Sequence, residues 1–252
     1  MANEQRSIVW TLPPIGPWSK RLATAAGALW VAHLVLYFVA RPSHVEALPT
    51  VKYLSLIPAK ALGSGQLWRV LSYAMLDLPN SFDGLWSALF LWWFGTPIEQ
   101  REGPRGIVIP WLVGALGGAA ALIAVSRVSL DYHVSAAMGL FPVLSTALVV
   151  KWGFLFARQR VSLLGLAEMD GRVLAGILCA IPALNALSRL RERDANSVIA
   201  LAALIATGVF LFAQSRTGTG DGPAKRKRIG SGSFTVIKGG KSGEKEPKKW
   251  VN

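Results

Sequence analysis

Six stretches of this chain are apolar for nearly as long as a bilayer is thick, and they constrain its fold more than any other feature. A helix needs about 17–25 residues to cross the hydrocarbon core. The runs are Leu22 to Ala40, Phe82 to Ile98, Ile107 to Val125, Val134 to Phe156, Val173 to Leu187 and Ser197 to Ala213. The second and fifth are short, which tilting or shielding by neighbours can accommodate. Composition points the same way: of 252 residues, 52% are apolar and 16% charged, too greasy for an ordinary soluble domain and too apolar for disorder. The predicted fold class is therefore an all-α membrane protein of six transmembrane helices. The lone cysteine, Cys179, excludes an intrachain disulfide.

The first run is expected to stay as an anchor, since about twenty residues precede it and no small-residue cleavage site follows. Lys and Arg tend to remain on the cytoplasmic side of short loops. With both termini inside, nineteen fall inside and eight outside, so both ends are read as cytoplasmic. Ten of the nineteen lie in residues 215–252, a Gly, Ser, Pro and Lys-rich stretch that reads as a disordered basic tail. Its cluster Lys225-Arg226-Lys227-Arg228 suits anionic lipid or a cytoplasmic partner, or serves only to set topology. The division is then a cytoplasmic segment, 1–21, a membrane domain, 22–214, and the tail. The link from Arg41 to about Ser81 is long yet rich in apolar residues, so it should fold back onto or into the membrane.

Within that link, Gly65-Gln66-Leu67-Trp68-Arg69-Val70-Leu71-Ser72-Tyr73 leads into the aromatic second run, which closes on Trp92-Trp93-Phe94-Gly95-Thr96-Pro97-Ile98-Glu99 and then Gln100-Arg101-Glu102-Gly103. Taken with the helix count, this order resembles the rhomboid family of intramembrane serine proteases over about residues 20–214. The resemblance implies a six-helix bundle with a membrane-embedded first outer loop. Physically, Arg69 is expected to tie that loop to backbone carbonyls or a headgroup, and Trp68 to anchor at the interface. Glu99 can bond the chain as it turns and Gly103 permits the turn. Gly114, Gly117 and Gly118 form a small-residue face for close helix packing.

A rhomboid protease needs a Ser nucleophile in a Gly-x-Ser-Gly motif at the start of the fourth helix and a His on the sixth. A hydroxyl becomes nucleophilic only with a base in reach, and donors must meet the oxyanion. The fourth run opens His133-Val134-Ser135-Ala136-Ala137-Met138-Gly139, making Ser135 the candidate nucleophile, with Val134 the alternative occupant by spacing. Asn196 stands where the His is expected and cannot take a proton near neutral pH. Asp77 and Asp83 replace the histidines of the oxyanion site and Ser87 its Asn, and a carboxylate there repels the developing charge. His133 sits too close to Ser135 along a helix to act as its base. His33 is either a functional polar group or one bonded within the bundle.

These changes imply a pseudoprotease that binds transmembrane clients without cutting them, in the bilayer of a bacterial inner membrane. The alternative is an active serine endopeptidase using Ser135 with a non-standard base. A transporter or channel fits poorly, because Asp83 and His33 are the few ionisable residues in the runs. Scattered histidines make no metal site, no cofactor is expected, and nucleic-acid binding is not.

Overall fold

The computed structural model describes residues 14–40, 48–77, 81–163 and 167–217. The expectation for the basic tail falls outside them from residue 218 onward. In chain order, α1 (Pro17–Ala40) is followed by three short helices, α2 (Pro49–Leu54), α3 (Pro58–Gly63) and α4 (Arg69–Ser72). Prolines open α2 and α3, where the missing N–H costs nothing. Next come α5 (Asp83–Phe90), a π-helical turn over Leu91–Gly95 and α6 (Thr96–Glu102). Pro97 cannot bond back into the preceding turn and its ring crowds the carbonyl four residues earlier, so the chain widens just before it.

The remaining elements are α7 (Arg105–Val125), α8 (Leu130–Val134), α9 (Leu140–Leu155), β1 (Arg160–Leu163), β2 (Ala167–Asp170), α10 (Gly171–Arg189) and α11 (Ala195–Thr217). Four helices are long and apolar enough to cross a membrane: α1, α7, α10 with its extension to Glu192, and α11. Helix α9 is shorter, and the second apolar run is divided between α5, the π turn and α6.

The described residues are mostly helical, as expected, with one small addition: β1 and β2 pair antiparallel with Arg160 opposite Asp170, a cross-strand pair of opposite charges. Four-residue strands between long helices leave too little alternation to be legible as sequence. One expectation needs correction: helix α9 begins at Leu140 and not at Val134, because residues 135–139 run outside it and Ala137 makes an isolated antiparallel bridge with Leu56.

The interior is built on α7, α9 and α11. Ala115, Ala119 and Leu122 of α7 pack with Val143 of α9 and with Ile199 and Ala203 of α11, all essentially without exposed surface. Small residues allow the approach: a Cβ on Gly117 would lie 2.3 Å from that of Ala206, and one on Gly118 would lie 2.8 Å from the Tyr73 hydroxyl. Gly117→Ala must therefore part α7 from α11 and is expected to cost about 1–3 kcal/mol. Gly208→Ala on α11 meets open space and should be neutral or stabilising by up to about 1 kcal/mol. Thermal unfolding in detergent micelles separates the two variants; equal stability would contradict the close packing.

Candidate functional site

The site grows from the start of α9. The first turn of a helix leaves N–H groups without partners inside the helix, and away from water each must find an acceptor. Here five successive residues do so. Ala137 N–H donates to the Leu56 carbonyl at 2.9 Å and Met138 N–H to Asn196 Oδ1 at 2.9 Å. Gly139 donates to the Tyr73 carbonyl and Leu140 to that of Leu76, both at 3.0 Å, while Phe141 donates to Asp77 Oδ1 at 2.8 Å. Pro142 has no N–H to satisfy, and Val143 starts the helical ladder by bonding to Gly139 at 3.0 Å. Three segments of the chain thus converge on this one helix start.

Each acceptor is itself held. Asn196 lies in the first turn of α11, where Asp194 caps the helix by accepting from Asn196 N–H at 3.1 Å and Ser197 Oγ at 2.8 Å. Asp77 is buried; its second oxygen accepts from Ser87 Oγ at 3.2 Å, and its backbone carbonyl lies 3.1 Å from His33 Nδ1. Burial pushes the Asp77 carboxyl up to about 7, against the pull of the Phe141 N–H and Ser87 hydroxyl and with a further push from the Asp83 charge. Asp83 itself accepts from Ser81 Oγ at 2.8 Å and makes no bond to Asp77.

Ser135 stands outside this arrangement. It follows α8, half-buried, and its hydroxyl donates back to the Asp131 carbonyl at 2.5 Å. Neither His133 nor Asn196 bonds to it among the described residues. Val134, the other candidate by spacing, is exposed. Asn196 meets the backbone of Met138 instead, three residues further on. No residue type announces a backbone acceptor, so Leu56, Tyr73 and Leu76 were beyond sequence reading; Pro142, at home in a first helical turn, was the available sign of where α9 begins. An exposed ion pair, Arg193 with Asp131, links the connections before α11 and α9. No cluster of metal-ligating side chains occurs among the described residues.

Residues of the link between α1 and α5 support the same site. Arg69, 1% exposed, donates to the Ser55 carbonyl at 2.6 Å, the Lys52 carbonyl at 2.5 Å and Gln66 Oε1 at 2.6 Å. Its charge lies against the C-terminal carbonyls of α2, where a cation is favoured, and it fixes the strand-like residue Leu56 that meets Ala137. Trp68 is exposed and donates from Nε1 to the Tyr53 carbonyl at 3.2 Å. Glu99 does not bond the chain at its own turn through its side chain. Its carboxylate caps the N-terminus of α1, accepting from Trp18 N–H at 2.9 Å and from Ser19 N–H and Oγ at 2.7 Å. Gly103, at φ +71°, ends α6 with its N–H on the Glu99 carbonyl at 2.7 Å, a conformation suited to glycine.

Among the described residues, the N–H groups of residues 137–141 are all bonded, and no base bonds the Ser135 hydroxyl. The site does hold a buried acid. Because the folded-state value of Asp77 lies above its ordinary 3.8, the native state binds the extra proton between the two values. That stabilisation is complete below about pH 4 and is lost as pH rises through about 7. Thermal unfolding temperature in micelles should fall across this window, and Asp77→Asn should flatten the fall; an unchanged pH slope in the variant would contradict the assignment. Compared with protein-family models and with curated proteins, the sequence finds no match.

Proposed function

We propose that the protein is a rhomboid-like pseudoprotease: a six-helix membrane domain with an embedded first outer loop and both termini cytoplasmic, in a bacterial inner membrane, that binds transmembrane segments of client proteins without cleaving them. The observation that carries the reading is the hydrogen bond from Met138 N–H to Asn196 Oδ1. Asn196 is the residue that stands in place of the catalytic His, and it is engaged as a backbone acceptor. In that register Met138-Gly139 falls where the Ser-Gly of the nucleophile motif would be, and a thioether cannot act as the hydroxyl. The donors that could stabilise an oxyanion at this helix start are already bonded to carbonyls or to Asp77.

Client binding draws support from the thinly covered helices at the edge of the bundle. Ile177, Ile181 and Leu184 of α10 are uncovered, a face that a transmembrane segment can meet without cutting chemistry. A fluorophosphonate probe applied to the membrane-embedded protein is expected to give no labelling that Ser135→Ala abolishes. Photo-crosslinking in native membranes is expected to capture single-span proteins. Clear Ser135-dependent labelling would overturn the pseudoprotease reading, and recovery of lipid alone would overturn client binding.

A further inference from the structure

Helix α1 packs mainly on α5 and the π turn, which leaves a gap between it and α7. The gap is a cavity of about 110 Å³ with apolar walls: Leu22, Ala25 and Leu29 on the α1 side, Val108 and Trp111 on the α7 side, and Leu144 at its floor. It follows α1 for about 10 Å at the helical rise. Both flanking helices are long and apolar enough to cross a membrane, so in a bilayer the mouth of the gap meets hydrocarbon. Its lining presents no polar group, so a hydrocarbon chain can occupy it without leaving a polar group unpaired.

Charge singles out one end. Arg21 directly precedes the groove residue Leu22 and lies one helical turn before Ala25, and Arg105 lies one turn before Val108, so each stands at the same sequence end of the groove on its own helix. Glu99 holds the start of α1 against α6, and α6 leads through Gly103 and Pro104 into α7, so both arginines belong to the end of the bundle where α1 and α7 begin. Both arginines are exposed, and neither has a carboxylate partner among the described residues. Arg21 lies over the ring of Trp18, 5.1 Å from its centroid, an aromatic placed where interfacial rings sit.

We propose that the groove between α1 and α7 seats one acyl chain of an anionic phospholipid, with Arg21 and Arg105 meeting its headgroup phosphate. The apolar walls select a chain and the arginines select the headgroup charge. The groove reaches α9 at Leu140 and Leu144, and the seating of a lipid there does not depend on whether the protein cleaves or binds clients.

Native mass spectrometry of the full chain in detergent, titrated with phosphatidylglycerol, phosphatidylcholine or inorganic phosphate, tests it. One phosphatidylglycerol per chain is expected to be retained in preference to phosphatidylcholine. The double variant Arg21→Gln/Arg105→Gln should weaken phosphatidylglycerol about thirtyfold, leaving phosphatidylcholine unchanged. Ala25→Phe, which fills the groove from an exposed position, should weaken both lipids. Undiminished phosphatidylglycerol binding in either variant would overturn the proposal. So would displacement of the lipid by inorganic phosphate alone, or a second copy of the chain retained in place of lipid.

Discussion

Non-helical backbone in apolar surroundings must find its hydrogen-bond partners within the protein, and the start of α9 is where this requirement falls hardest. Residues 135–139 leave regular structure in the middle of a helical assembly, and α9 then begins with its N–H groups pointing into packed protein. An unpaired buried donor costs about 1–3 kcal/mol, so leaving several of these five groups unpaired would remove much of the net stability of a domain this size. The chain meets the cost by bringing Leu56, Tyr73, Leu76, Asp77 and Asn196 to one place. The link between α1 and α5, with α4 in it, and the first turn of α11 are positioned by that convergence.

Two charged residues hold the frame around it. Arg69 converts the end of α2 into a fixed support for Leu56, through hydrogen bonds to a charged group that contribute about 1.5–3 kcal/mol each. Glu99 does the reciprocal work just past the second run, where an anion meets the positive N-terminus of α1. A Cβ on Gly16 would stand 2.3 Å from the Glu99 carboxylate, so a glycine there is what lets the carboxylate approach. Lys151 of α9, paired at 2.7 Å with Glu102, joins that end of α6 to α9. The C-terminal end of the second run is therefore tied electrostatically on two sides, just after the chain widens into the π turn before Pro97.

Much of this was legible in the sequence, and the reason differs from residue to residue. The long helices declared themselves by apolar length, and Trp68, Arg69, Glu99 and Gly103 by being costly or conformationally special where they stand. Asp77, Ser87 and Asn196 stand out as departures from a catalytic pattern, although Asp77 and Asn196 are engaged by Phe141 N–H and Met138 N–H, backbone groups that any residue carries, and Ser87 serves Asp77. Ser135 drew notice as a hydroxyl near a helix start, yet the helix starts five residues later, and the difference lies in the Leu56–Ala137 bridge between segments 81 residues apart in sequence. The hairpin of β1 and β2 was illegible because four-residue strands carry too little pattern.

Amide hydrogen exchange at residues 137–141, measured on the protein in micelles or nanodiscs, tests the occupied helix start most directly. Fully bonded donors predict that Met138 and its neighbours exchange as slowly as the core of α7, with Asn196→Ala releasing Met138 first. Fast exchange at Met138 and Gly139 in the unaltered protein would mean an open, wet cavity at the head of α9 and would contradict the account.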